Sequence, residues 1–356
     1  MPEDPRELLG WLEQRGLLEA DELPAVQEHL KSRAAEEALV WYLRVPQFLG
    51  AWIAGILFMG FLFTSELLDD TNPSLLVWGG ILGVLAVSLH KRGRRAFFGQ
   101  LALALSVGAH GLLIWAAWEA ARERWVMPAS AALLCVGLYP VYRDALHRFL
   151  ACMLVLFLTT IWLLEPELHG AFHGLVAVEA LGFAYILTRE RLAPGLLPLA
   201  YACAVSVPLT ILLGTEGESW LWSGAEVLSL LWPSTVLLGL CLLWLLQWAA
   251  GGMTRVGGAP RLLVTVVTLA TGLLMLAGTP GILAALCLML LGHAMRDGVL
   301  VGAGALSLPL FLQRFYQHLE LSLLEKSITL VGTGLLLLAL GIYLARASWQ
   351  RGEGAA

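Results

Sequence analysis

Charge is scarce in this sequence. Asp, Glu, Lys and Arg together make 14% of its 356 residues, against roughly 25% in a soluble domain. Hydrophobic residues make 58%, and the mean hydropathy is +0.76. No chain so poor in charge could keep that apolar surface in water, which excludes a soluble enzyme, a nucleic-acid binder and a disordered chain. Paired cysteines are lacking too. Cys135, Cys152, Cys203, Cys241 and Cys287 are scattered through apolar runs with no CxxC spacing, so they are expected to be small buried hydrophobes, with no disulfide frame and no metal site. The first 45 residues lack a basic stretch followed by an apolar one, so the first apolar run is expected to stay as an anchor. Catalytic signatures are equally scarce. There is no HExxH, no pair of intramembrane aspartates and no Ser/His dyad at a readable spacing, and we expect neither an enzyme nor a cofactor.

What is present is a series of apolar runs near the ~20 residues that span a bilayer. They fall at about 46 to 68, 74 to 90, 96 to 118, 126 to 142, 146 to 164, 168 to 187, 194 to 214, 226 to 250, 261 to 277, 279 to 295, 298 to 316 and 322 to 345. The expected fold is therefore all-α, a polytopic transmembrane bundle of about twelve spans over 46–346, with a tail at 347–356. The ninth and tenth runs are divided only by Ala277-Gly278-Thr279-Pro280, where a hairpin or one broken helix would serve. Charge placement supports the count. With the N-terminus inside, 18 of the 22 basic residues fall on the cytoplasmic side, leaving Arg122, Arg124, Arg314 and Lys326 outside, and this puts both termini in the cytoplasm. The outer loops instead carry acids, among them Asp69, Asp70, Glu165, Glu167, Glu216, Glu218 and Glu226. Trp115, Trp118, Trp125, Trp162, Trp220 and Trp222 sit at outer helix ends and Trp244, Trp248 and Trp349 at inner ones, as interfacial aromatics do.

Residues 1–45 are the stretch polar enough to fold outside lipid. Asp4 caps a helix opening at Pro5, Leu8, Leu9 and Leu12 share a face, and Gly16 ends it; Asp21 caps a second, with Leu23, Val26 and Leu30 aligned. Two such helices bury too little to stand alone, so this cytoplasmic hairpin is expected to pack on the membrane domain or on a partner.

Glu179 is the carboxylate expected well inside a span. An ionised carboxylate in lipid is costly unless paired, hydrated or protonated, so Glu179 is either functional or an interhelical hydrogen-bonding group. Glu165, His169 and His173 recur at intervals of four, which on one helix would stack them in a stripe able to relay protons; without a third strong ligand, the alternative is a pair of interfacial histidines and no metal site. His173 and Glu179 are six residues apart, about 600° around a helix, and face different ways. His110 and His293 are isolated and read as satisfied core histidines. Pro208, Pro233 and Pro309 are candidate helix breaks, with Pro194, Pro198, Gly302 and Gly304 nearby; Ser206, Thr210 and Ser307 could satisfy a freed carbonyl or touch a substrate. Gly79, Gly83, Gly332 and Gly334 mark close helix approach.

Two resemblances follow from short motifs. The loop His90-Lys91-Arg92-Gly93-Arg94-Arg95 resembles the RxGRR part of the loop signature of major facilitator transporters, with Thr254-Arg255-Val256-Gly257-Gly258 in the equivalent later loop; the family's preceding aspartate is missing, and a positive-inside cluster explains both loops as well. Thr279-Pro280-Gly281-Ile282, Leu290-Leu291-Gly292, Phe315-Tyr316, Leu323-Leu324-Glu325-Lys326-Ser327 and Gly332 resemble an uncharacterised bacterial inner-membrane family, and the N-terminal segment with the first spans resembles a second one often fused to it. Here Phe-Tyr stands where that family prefers Tyr-Tyr. The resemblance implies a multi-pass protein of the bacterial inner membrane, encoded beside a GDYxxLxY-type exported protein and so having an extracytoplasmic partner. Lys326 either snorkels to the outer interface or meets an acid or ligand in an outer cavity.

Two functions remain open. One is a small-solute or ion transporter, proton-coupled through Glu179. The other is a membrane scaffold or assembly factor with a partner at the N-terminal module or the outer acidic rim. Membrane lipid is a partner in both, nucleic acid in neither, and an oligomer is compatible with each.

Overall fold

The computed structural model of the chain describes residues 26, 41–65, 67, 72–92, 96–142, 144–189, 194–216, 232–249, 271, 272, 275 and 279–318. Among them the regular structure is helical: α1 Trp41–Thr64, α2 Asn72–Arg92, α3 Ala96–Ala121, α4 Val126–Leu138, α5 Ala145–Leu163, α6 His169–Thr188, α7 Leu197–Glu216, α8 Trp232–Ala249, α9 Pro280–Met295 and α10 Gly298–His318. Short 3-10 turns at Pro166–Leu168 and Pro194–Leu196 lead into α6 and α7.

These helices carry apolar residues all round, the pattern of segments surrounded by lipid or by other helices. Seven of them, α2, α3, α5, α6, α7, α8 and α10, are long and apolar enough to cross a membrane among the described residues, whereas α4, α9 and the apolar part of α1 are shorter. A helix closes its own backbone hydrogen bonds, which lipid requires. Leu133, Val136 and Leu306 are 75%, 73% and 81% exposed, an arrangement costly in water and favourable against acyl chains. The chain is thus a multi-pass integral membrane protein. Residues 1–45 (Val26 and 41–45 apart), the runs at 261–277 (apart from 271, 272 and 275) and 322–345, Lys326, and the loops with Arg94 and Arg255 lie outside the described residues.

The chain divides into two compact units, Met1–Val126 and Met127–Ala356. In the first, α3 packs along α2 and against α1, around a core of Leu62, Leu75, Leu82, Ala86, Leu105, Ala109, Leu112 and Ala116. Gly79 lies under Leu113, where an added Cβ would meet the leucine at 2.8 Å, so α2 and α3 approach as small residues allow. Trp78 Nε1 donates to Leu67 O at 2.6 Å. Helix α3 ends at Arg122, in the left-handed region at φ 57°, with its side chain over the Trp118 ring and paired with Glu119.

In the second unit α7 is central and touches α5, α6, α9 and α10. The contact pairs show α6 and α7 running antiparallel. Phe172 lies over Gly214, Glu179 meets Thr210 and Ser206, and Gly182 meets Cys203. Helices α9 and α10 are likewise antiparallel, with Phe311 over Gly281, Met289 at Gly304 and the Val301 backbone at Gly292. Asp297 joins them. Its Oδ1 accepts from Val299 N at 2.8 Å and Leu300 N at 3.3 Å, capping α10, and its Oδ2 accepts from the Tyr201 hydroxyl of α7. At another loop the Arg148 guanidinium donates to Tyr139 O at 2.6 and 3.0 Å and lies over the Tyr139 ring, while the Tyr139 hydroxyl donates to Gly195 O.

Candidate functional site

Closely packed apolar helices leave few places for a charge, and Glu179 occupies one of them. It is the eleventh residue of the twenty in α6, about 15 Å from either end at 1.5 Å per residue, and it is fully buried. Val176 and Phe183, about one turn away on either side, and the adjacent Ala180 are also fully buried. An added Cβ on Gly182 would lie 3.1 Å from Cys203 Sγ, and one on Gly214 would lie 2.5 Å from the Phe172 ring. This close spacing of α6 and α7 lets short hydroxyl side chains reach the carboxyl.

Ser206 Oγ donates to Glu179 Oε1 at 2.8 Å, and Thr210 Oγ1 donates to the same oxygen at 3.0 Å. The two hydroxyls are four residues apart and so one above the other on α7. Thr160 of α5 adds a third, with Oγ1 3.1 Å from Thr210 Oγ1. Ser206 Oγ also reaches Cys203 O at 3.1 Å, and Thr160 Oγ1 reaches Leu156 O at 2.9 Å. Glu179 Oε2 has no hydrogen-bond partner among the described residues. Between Ser206 and Thr210 stands Pro208, inside α7, which has no N–H to offer the carbonyl of Ala204 four residues back.

The carboxyl thus faces hydroxyls and no cation among the described residues. An arginine partner would hold it ionised. A hydroxyl either donates to a carboxylate or accepts from a carboxylic acid, so this set solvates both forms.

The other sequence candidates lie elsewhere. His173 Nδ1 is 2.7 Å from Ser234 Oγ of α8, on a different side of α6 from Glu179. Glu165 does not share the histidines' helix, because Pro166 opens a 3-10 turn and α6 begins only at His169. No group of three metal-binding side chains is found among the described residues. His110 belongs to the first unit, buried on α3 with Nδ1 2.7 Å from Ser106 O. Pro208 and Pro309 stand inside α7 and α10, and Pro233 is the second residue of α8 as described. Ser307 Oγ bonds back to Ala303 O at 2.7 Å. All five cysteines are free and buried, and Cys135 and Cys152 place their sulfurs 3.8 Å apart. Lys326 lies outside the described residues. Sequence reasoning named Glu179 but not Thr160, and it noted Ser206 and Thr210 only as neighbours of Pro208. The usable signal was two hydroxyls four apart in an apolar run, available to a lone acid.

Residues 40–347 match the family described as a domain of unknown function, DUF4401. No curated protein and no solved structure matches the chain.

Proposed function

The chain belongs to this DUF4401 family, and from that premise and the buried carboxyl we propose that it is a proton-coupled transporter of a small solute or ion, with Glu179 as the group that takes up and releases the proton. The observation that supports this reading is a carboxyl at mid-helix with hydroxyl partners and no counter-charge among the described residues. An acid inside a membrane is costly to keep, and a pure packing role would be filled as well by an amide or by an apolar side chain. Hydroxyls that serve either protonation state let the group cycle between them without rebuilding its surroundings. Pro208 and Pro309, candidate breaks from the sequence, leave α7 and α10 continuous, because a proline costs a helix one hydrogen bond without ending it when neighbouring helices hold it. Each still withholds a donor from the carbonyl four residues back, a local weakness at which a transporter helix can bend.

The reading includes about twelve spans and both termini in the cytoplasm, supported by the placement of 18 of 22 basic residues, and a bacterial inner-membrane location, supported by the resemblance carried by the Thr279 to Gly332 motifs. Purified full-length protein in liposomes with a trapped pH dye tests the transport role. An imposed pH gradient should drive substrate-dependent proton movement in the wild type and none in Glu179→Gln, with both variants folded alike. Equal fluxes in the two would overturn the assignment and favour a scaffold.

A further inference from the structure

The reach of each hydroxyl around Glu179 carries a second conclusion, which rests on the proton-carrying role just proposed. Ser206 and Thr160 each have a backbone acceptor at hand, Cys203 O at 3.1 Å and Leu156 O at 2.9 Å. A hydroxyl has one proton and two lone pairs. When that proton turns to the backbone, the lone pairs are released toward the interior and the hydroxyl is still satisfied. Thr210 can keep its proton on Glu179 Oε1 at 3.0 Å, and Oε2 stays without a partner among the described residues. The same side chains that solvate a carboxylic acid can therefore present a set of bare oxygens.

We infer that the Glu179 carboxylate with the Ser206, Thr210 and Thr160 hydroxyls is a binding site for one small monovalent cation, Na+ or Li+, which displaces the proton. The donor set decides the class. Carboxylate and hydroxyl oxygens are hard ligands and suit hard cations. One carboxylate balances one positive charge, whereas a divalent ion would leave an uncompensated charge at mid-helix, where it is most costly. Glu179 Oε1 lies 2.8 and 3.0 Å from the Ser206 and Thr210 oxygens, and Thr160 Oγ1 lies 3.1 Å from Thr210 Oγ1, and oxygens so closely spaced fit a small ion better than K+. Pro208, between Ser206 and Thr210, leaves the Ala204 carbonyl without its helical donor, the kind of backbone oxygen that coupling-ion sites use. The titratable group that faces the carboxyl from α7 is the Cys203 thiol. Helix α5 meets the set through Thr160 and Thr210, and α8 meets α6 at His173 and Ser234. The exchange balances, since Glu179-COOH and Na+ give Glu179-COO⁻ with Na+ and one released proton.

The test uses purified full-length protein in detergent, weakly buffered in choline chloride. Adding NaCl should release up to one proton per chain and KCl none, because a cation that needs the deprotonated ligand expels its proton. Equilibrium binding of radioactive 22Na+ should saturate at one ion per chain, be displaced by Li+ and by acid, and vanish in Glu179→Gln. The Ser206→Ala, Thr160→Val double variant should bind at least about tenfold more weakly while Glu179 still titrates. If neither proton release nor saturable 22Na+ binding occurs, but acid–base titration over the range in which the protein stays folded still shows one proton that Glu179→Gln lacks, the cation site is wrong and the proton-carrying role stands. If that proton is missing too, both fall. Na+ binding that Glu179→Gln leaves unchanged would also overturn the site.

Discussion

Two helix contacts in the second unit reach close approach in opposite ways. Between α9 and α10 the helices meet through glycines. Gly281 lies under Phe311, an added Cβ on Gly292 would come within 2.6 Å of Val301 N, and one on Gly304 would come within 2.8 Å of Ala285 O. This contact gains its stability from dispersion, since lipid tails are as apolar as the side chains and burial offers little. Between α6 and α7 glycines again set the spacing, at Gly182 and Gly214, but a carboxyl and two hydroxyls fill the middle. One and the same unit shows that tight packing here needs no polar group. The polar set at Glu179 is therefore not something tight packing in this unit requires, which is the ground on which a chemical role is proposed for it.

The largest effect expected is on function: Glu179→Gln should remove proton coupling almost entirely while shifting stability by no more than roughly 1 kcal/mol, the scale of one interhelical hydrogen bond in lipid. Gly292→Ala should be the most destabilising small change at the other contact. The new methyl meets a backbone atom that cannot swing aside, at a cost of about 1 to 3 kcal/mol in unfolding measured in detergent. If Gly292→Ala were harmless and Glu179→Gln unfolded the protein, the division of labour between the two contacts would be reversed.

Asp297, at the α9–α10 turn, ranks next. Asp297→Ala removes the cap on α10 and the acceptor for Tyr201, and should cost about 0.5 to 2 kcal/mol. Partial burial pushes this carboxyl upward, but the Tyr201 hydroxyl and the N–H groups of Leu300 and Val299 outweigh it and hold it below its ordinary value. A carboxyl lowered on folding lends stability that is fully present above its unfolded value of ~3.9 and is lost as pH falls through the folded one. Thermal unfolding followed downward from neutral pH should show wild type and Asp297→Ala converging only in that acid range.

Smaller still is Thr160→Val, which removes the outermost hydroxyl of the chain to Glu179 and should cost roughly 0.6 kcal/mol in the same unfolding assay. Gly174→Ala on α6 is the matched control, because nothing lies within 4 Å of an added methyl there. It should be neutral or favourable by up to about 1 kcal/mol.

The sequence by itself determined the solvent of this protein and the places where helices form. Hydropathy and helical closure of the backbone are properties of a single segment, so each of α1 to α10 overlaps an apolar run that could be read directly. It also marked Glu179, because one acid inside an apolar run stands out with no knowledge of its neighbours. Other features depended on other helices. The Glu165 stripe failed because Pro166 turns the chain before α6 starts. Asp297 went unnoticed because half of its role is a bond to Tyr201, 96 residues away in sequence. Only the tertiary structure decided that Ser206 and Thr210 both fill one oxygen of Glu179, that Thr160 extends the chain, and that the second oxygen is left open. A hydrogen bond exists or fails over a few tenths of an ångström, and that distance is set by where Gly182 and Gly214 let two helices touch.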